Sequence, residues 1–242
     1  MYVVRSLATY LAISLYVLVA GTIGLLIAIP FKAKNLLYVL GHGGVWLALN
    51  LAGIRFTVIG REHLPANRAA VFCANHQSNV DPPVLFQALH PRLHILYKAE
   101  LRKLPVLGRV FEVGGFVAVQ RANRDAAFAS IETAVASIRR GNSFLIFPEG
   151  TRSKTDALLP FKKGGLVMAL RAQAPIVPVA IMGGRAAMQK GSAFVRPVHV
   201  TVRIGAPVET AGMTADDRDT LIDIVRGRIE ELIRQGPVSS PR

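Results

Sequence analysis

Between Arg5 and Lys32 no residue is charged, and the stretch Ser6–Phe31 contains the apolar run LAISLYVLVAGTIGLLIAIP. At about 1.5 Å of helical rise per residue, that run is long enough to cross a hydrocarbon core of about 30 Å. Pro30 and Lys32 end it. A second uncharged stretch, Asn35–Ile54, is weaker, because Gly41, His42, Gly43, Gly44 and Asn50 interrupt it. The pattern predicts a hydrophobic two-helix membrane segment over residues 1–54. A cleaved signal peptide describes the first run less well, since an h-region is about 7–15 residues long and one Arg is a thin n-region. The second stretch reads as an interfacial helix, a re-entrant partner or a second span. A fully spanning hairpin would set Lys32 and Lys34 across the membrane from Arg5, Arg55 and Arg61, against the positive-inside tendency. The expectation is one anchor, or two helices dipping into one leaflet, with the remaining chain on the cytoplasmic face of the cell membrane.

After Ile54 the pattern changes to short apolar runs separated by helical stretches. Expected strands are Arg55–Ile59, Ala70–Ala74, His94–Tyr97, Phe116–Val119, Phe144–Phe147, Ile176–Ile181 and Val198–Ile204, each short and rich in Val, Ile or Phe. From Asp125 to Arg140, Phe128, Ile131, Val135 and Ile138 fall on one helical stripe. From Thr214 to Arg234, Ile222, Val225, Ile229, Leu232 and Ile233 do the same, with Asp216 and Asp217 in the first turn. Strand–helix alternation argues for an α/β domain, a mostly mixed or parallel sheet covered by helices, over residues 55–236. The tail 237–242 is expected to be frayed.

Charge changes the picture. The chain has 242 residues, 51% of them hydrophobic, with 29 Lys and Arg against 15 Asp and Glu. Disordered chains are poor in apolar residues and rich in charge, so disorder is excluded. Residues 1–208 hold 24 basic and 8 acidic residues, whereas residues 209–242 hold 5 and 7. The basic surface therefore belongs to the part before residue 209, and with the apolar segment it fits an anionic membrane surface better than nucleic acid. The single cysteine excludes an intramolecular disulfide.

Two polar segments follow apolar strands, where function in α/β sheets concentrates. The first is Asn75-His76-Gln77-Ser78-Asn79-Val80-Asp81-Pro82-Pro83. A histidine near a carboxylate is a general-base arrangement, because the carboxylate fixes the tautomer and leaves the other ring nitrogen to take a proton. In one continuous helix, five residues would set the two side chains about 140° apart. They can meet if His76 lies in a turn and the helix begins near Asp81, as Asp81-Pro82 suggests. The competing reading makes Asp81 only a helix cap. The second segment is Phe147-Pro148-Glu149-Gly150-Thr151-Arg152-Ser153, with Lys154, Lys162 and Lys163 downstream. Gly150 permits a close turn, hydroxyls and amides can donate to an oxyanion, and Arg152 offers a planar fork suited to phosphate. A plain loop with a Glu149–Arg152 ion pair is the alternative.

Other chemistries are weaker. No GxxxxGK[ST], no GxGxxG after a strand and no GxSxG elbow occurs. Cys73 is a possible covalent nucleophile three residues before His76, but in an apolar strand Cys behaves as a small hydrophobe. His63, His90, His94 and His199 lack metal-ligand spacing and read as surface or packing residues, and His42 as a helix-turn or interface residue.

Taken together, these segments resemble the phospholipid and glycerol acyltransferase family, and within it the 1-acyl-sn-glycerol-3-phosphate acyltransferases. His76 and Asp81 match the family's His-x4-Asp, GFVAVQR (115–121) partly matches a block ending in arginine, FPEGTRS (147–153) matches closely, and PIVPV (175–179) matches a proline-bearing apolar block. The resemblance covers about residues 55–205. Ala118 stands where Phe is common, Gln120 where an acidic residue is common, and Asn79 where many members carry a bulkier side chain. The resemblance implies a glycerol-3-phosphate acyltransferase-like fold. It implies transfer of an acyl chain to the sn-2 hydroxyl of a lysophospholipid, giving phosphatidic acid, with His76 as base and Asp81 orienting it. Glu149, Gly150, Thr151 and Arg152 would hold the glycerol phosphate, with Arg121 adding charge, and Lys98 would lie near the thioester as an oxyanion donor. No cofactor or metal is implied; acyl-CoA or acyl carrier protein is the donor substrate, and membrane lipids are partners. Alternatives are another lyso-acceptor, such as lysophosphatidylglycerol or a lyso-aminolipid, or a non-enzymatic protein that binds anionic lipid.

Overall fold

The computed structural model describes residues 1–89, 93–120 and 124–238. Helix α1 (Tyr2–Tyr16), a π-helical turn (Val17–Gly21) and α2 (Thr22–Ala28) form one continuous apolar helix, and α3 (Lys34–Ala52) returns beside it. At 27 residues the first is about 40 Å long. Leu11 and Leu26 are 73% and 70% exposed, so its outer side has no partner among the described residues. Both expected helices are present, but among the described residues only Tyr2–Ala28 is long and apolar enough to cross a membrane. The glycines and the polar residues of α3 account for the difference.

The seven strands are β1 (Ile54–Ile59), β2 (Val71–Ala74), β3 (Leu93–Lys98), β4 (Val117–Val119), β5 (Ser143–Ile146), β6 (Ile176–Met182) and β7 (Val198–Ile204). They form one sheet in the order β1-β7-β6-β2-β5-β3-β4. All neighbours are parallel except β6 and β7, which run antiparallel. The mixed sheet anticipated from strand–helix alternation is thus present, with all seven strands within about a residue or two of their expected bounds.

Central strands are apolar on both faces because helices cover both. Phe72, Ala74, Leu145 and Val179 join a core with Leu49 and Ala52 of α3 and with Val84, Leu85 and Phe86 of α4 (Asp81–Ala88). Val71, Cys73, Phe144 and Ile146 face the other way. There they meet α6 (Arg124–Arg139), α7 (Lys163–Ala172) and α9 (Arg218–Arg234). Between these lie α5 (Leu107–Gly114) and the single turn α8 (Gly184–Ala187).

Helices α5, α7 and α8 have no counterpart among the expected elements: α7 opens Lys-Gly-Gly and α5 carries Gly108 and Gly114, and glycine is a poor helix former. On α6, Phe128 is 56% exposed, with the Arg171 guanidinium 5.4 Å from its ring centroid, while Ala134 takes the buried place beside Val135 and Ile138. On α9, Leu221 rather than Ile222 begins the buried stripe. A Thr214–Asp217 capping box starts the preceding 3₁₀ turn. The first tail residues are pinned, since Val238 N donates to Thr201 Oγ1 at 3.1 Å; residues 239–242 lie outside the described residues.

The N-terminal helix is tied to the sheet domain. Ser6 Oγ accepts from Val195 N at 2.8 Å, and the Tyr10 hydroxyl donates to Ala193 O at 2.5 Å. Tyr2 packs edge-on against Phe194 and under Arg196.

Candidate active site

β2 and β5 lie side by side and parallel, with Cys73 paired to Ile146. Their following loops therefore leave the same edge of the sheet. This brings His76 and the Glu149 segment together although 73 residues separate them. The imidazole is fixed through its own backbone: His76 N donates to Glu149 Oε1 at 2.7 Å, and His76 O accepts from Ser153 N at 2.8 Å. Its ring stacks on Phe147, centroids 4.1 Å apart.

Asp81 is the first residue of α4 and is fully buried. Its carboxylate does not cap its own helix. It reaches back, and Oδ2 accepts from Gln77 N and Ser78 N, both at 2.7 Å, and from His76 Nδ1 at 2.9 Å. With Nδ1–H donating to the carboxylate, Nε2 carries the lone pair, the state a general base needs. Among the described residues Oδ1 has no hydrogen-bond partner; it lies against Gly184, where any Cβ would overlap it. Asn75 locks the strand end by a reciprocal pair with Ile181: Nδ2 donates to its O at 2.9 Å, and Oδ1 accepts from its N at 2.7 Å. Ser78 Oγ donates to Met188 O at 2.8 Å.

Glu149 is 2% exposed, and both its oxygens are committed to the main chain: Oε1 to His76 N, and Oε2 to Leu159 N at 2.9 Å. Burial pushes its carboxyl pKa up, and the two amides oppose that rise. No Glu149–Arg152 ion pair forms among the described residues. A Glu149→Gln variant should be destabilised by about 1–3 kcal/mol, because its NH₂ would face one of two amide donors. We expect a lower denaturation midpoint together with a fall in kcat; an unchanged midpoint would show that the buried carboxylate does not clamp the two loops.

Gly150 turns the loop at φ 68°, a left-handed conformation that suits glycine, and the Lys162 side chain lies over it. Thr151 is exposed; Arg152 is half-buried, with Nη1 buried and without a partner among the described residues. Lys190, not singled out from sequence, donates to Thr151 Oγ1 at 3.0 Å and to Arg152 O at 3.1 Å. Nothing in its own neighbourhood in the sequence marks it. Lys163 points elsewhere, 3.0 Å from Asp219. Lys98 ends β3, two strands from β2, 3.2 Å from Glu100 and largely exposed. Arg121 lies outside the described residues.

Cys73 is fully buried in β2, and burial, with the Glu149 charge adding to it, pushes its thiol pKa well above the ordinary range. A thiolate nucleophile is therefore disfavoured there. Among the described residues no group of three His, Cys, Asp or Glu side chains is placed to hold a metal ion. His63 Nδ1 lies 2.9 Å from Ile204 O, His199 Nε2 lies 2.9 Å from Thr57 Oγ1, and His42 stacks on Phe86. His94 is buried against Tyr38 and Phe144; His90 is outside the described residues.

A cavity of about 320 Å³ opens beside the site, walled by Tyr16, Val45, Pro82, Phe86, Val110 and Phe116 among others. Pro82 directly follows Asp81, so the apolar cavity begins one residue from the pair. Its walls come from α1, the π-helical turn, α3, α4, β3 and α5 and from the segment before β4. That spread hides it from any local pattern.

The family model described as Acyltransferase matches residues 55–182. A 1-acyl-sn-glycerol-3-phosphate acyltransferase of Limnanthes douglasii is 33% identical over 202 residues, 83% of this chain and 71% of that protein. The alpha form from Mus musculus is 32% identical over 187 residues, 76% of this chain and 66% of that one. The crystal structure of the 1-acyl-sn-glycerophosphate (LPA) acyltransferase PlsC from Thermotoga maritima superposes with a TM-score of 0.85. It is 26% identical and covers 99% of this chain and 98% of its own.

Proposed function

The chain belongs to the acyltransferase family, and from that premise we propose that it moves a fatty acyl chain from a thioester to the sn-2 hydroxyl of 1-acyl-glycerol-3-phosphate, giving phosphatidic acid. The observation that carries this reading is the His76–Asp81 pair set beside a cationic loop and an apolar cavity. His76 Nε2 takes the proton as the hydroxyl oxygen attacks the thioester carbonyl carbon. Asp81 offsets the positive charge that forms on the ring. The tetrahedral adduct collapses, the C–S bond breaks, and the thiolate leaves with the proton returned by His76. No covalent enzyme intermediate is required, in keeping with the buried Cys73.

Arg152 and Thr151 suit the acceptor phosphate, with Gly150, whose N–H is given to Phe147 O at 3.0 Å, shaping the turn that presents them and Arg121 supplying further charge. Glu149 acts through His76 and the loop it braces. The cavity suits an acyl chain, and the outward face of α1 and α2 suits the leaflet in which the lysolipid resides. The positive-inside tendency puts the domain on the cytoplasmic face. Lys98 is the candidate oxyanion donor, once released from Glu100. The donor is acyl-CoA or acyl carrier protein; a competition assay with both thioesters separates them.

Mass spectrometry of products from the purified enzyme, one acyl thioester and a panel of lyso-acceptors tests the assignment. Phosphatidic acid should dominate. Preferred acylation of lysophosphatidylglycerol or a lyso-aminolipid would move the acceptor, and no transfer at all would overturn the reading. Arg152→Ala should raise KM for lysophosphatidate about 10–100-fold with a smaller change in kcat, as expected for loss of a charge-assisted fork. An unchanged KM removes Arg152 from the phosphate site.

A further inference from the structure

We propose that Lys190 is a further ligand of the acceptor phosphate, completing a three-cation rim with Arg152 and Lys162; this rests on the lysophosphatidate reading above. Lys162 lies over Gly150, and Lys190, from a distant segment, donates to Thr151 Oγ1 and the Arg152 carbonyl, so two lysines meet the loop that carries Arg152. None of the three takes part in an ion pair among the described residues. Lys163, next to Lys162, and Arg185, five residues before Lys190, by contrast each have a carboxylate partner, Asp219 and Asp156. Like charges gathered without an anion repel one another. A phosphomonoester, with a charge of about −1.5 to −2 near neutral pH, offsets that repulsion.

The hydrogen-bond inventory points the same way. The Lys190 ammonium has three donors, and among the described residues its hydrogen-bond partners are neutral oxygens, the Thr151 hydroxyl and the Arg152 carbonyl. Among the described residues, Arg152 Nη1 has no acceptor. Charge-assisted bonds to phosphate oxygens are stronger than bonds to neutral acceptors, so an arriving phosphate draws Lys190 while keeping it over the same loop.

The segment that carries Lys190 is held at both ends. Two residues before it, Met188 O accepts from Ser78 Oγ, within the His76–Asp81 turn. Five residues after it, Val195 exchanges hydrogen bonds with Ser6 of the apolar helix. The ammonium is thereby set between the catalytic turn and the leaflet-facing helix, where a lysolipid headgroup has to stand. An ammonium on an anchored segment loses less entropy on binding than one on a free loop.

The test is steady-state kinetics of wild type, Lys190→Met and Lys190→Arg, varying lysophosphatidate and the acyl thioester separately. We expect Lys190→Met to raise KM for lysophosphatidate about tenfold, with kcat and the donor KM within about twofold. Lys190→Arg should restore most of the affinity. Weaker competitive inhibition by sn-glycerol 3-phosphate should accompany the loss, and the melting temperature should hold. An acceptor KM within twofold of wild type overturns the proposal. So does an equal loss in kcat, donor KM and melting temperature, which would mark Lys190 as a loop clamp. Wild type that fails to acylate lysophosphatidate while acylating another acceptor brings down the acceptor reading instead, and this proposal with it.

Discussion

A His76→Ala variant should lose about 10²–10⁴-fold in kcat, the span that a positioned general base contributes, while remaining folded. The reason lies in how the residue is held. Its backbone N–H and C=O bond to Glu149 and Ser153, and both bonds survive the substitution. The imidazole itself is lost, and with it the stack on Phe147 and the bond to Asp81. Asp81 keeps two backbone donors, Gln77 N and Ser78 N, so its charge is not stranded. A thermal melt should show a shift of a few degrees at most, while single-turnover acyl transfer collapses. Each tenfold is about 1.4 kcal/mol of barrier. Turnover within tenfold of wild type by a folded variant would remove His76 from the base role.

Asp81→Asn should cost kcat about 10²–10³-fold with a smaller effect on KM. The amide oxygen can occupy the Oδ2 position and still accept from the Gln77 and Ser78 amides, so the turn persists. Its NH₂ then falls where Oδ1 lies, against Gly184 and without an acceptor. That unsatisfied donor costs about 1–3 kcal/mol of stability. The catalytic loss has another cause: the negative charge beside the ring is gone when the imidazolium forms. If the amide turned the other way, its NH₂ would meet the backbone amides and the turn would loosen. Denaturant midpoints separate these two arrangements. Near-normal kcat would show that Asp81 serves the turn and not the chemistry.

The strands and the His-x4-Asp turn were legible because each depends on local pattern. Short Val- and Ile-rich runs mark strands buried on both faces, and Asp81-Pro82 marks a helix start. What the pattern left open was the direction in which the Asp81 carboxylate points. A helix cap would face forward along α4; the carboxylate instead faces backward, to amides that the preceding turn exposes. Glu149 was expected at the acceptor because it sits in FPEGTRS, yet its oxygens turn inward to His76 and Leu159. A loop sequence does not reveal which of its polar side chains serves the main chain. Lys190 and the cavity were invisible for a different reason. Each is assembled from segments far apart in the chain, and no spacing rule connects residue 190 to residue 151. Helix α7 was missed because Gly164 and Gly165 are poor helix formers, yet Gly165 lets the helix approach the sheet: a Cβ there would stand 2.9 Å from Ile146 Cδ1.

The apolar N-terminal segment cannot be treated as a detachable handle. Leu49 and Ala52 are 5% exposed within the same packed interior as Phe72 and Leu85. Tyr16 and Val45 close one side of the cavity. Trimming residues 1–54 to obtain a water-soluble enzyme would therefore unroof the cavity, bare Phe86 to water and cut Val195 loose from Ser6. Burying a side chain of Leu or Phe size is worth about 1.5–3 kcal/mol, so a few such exposures approach the whole margin of a small domain. Detergent or lipid has to travel with this protein for its interior as much as for its surface.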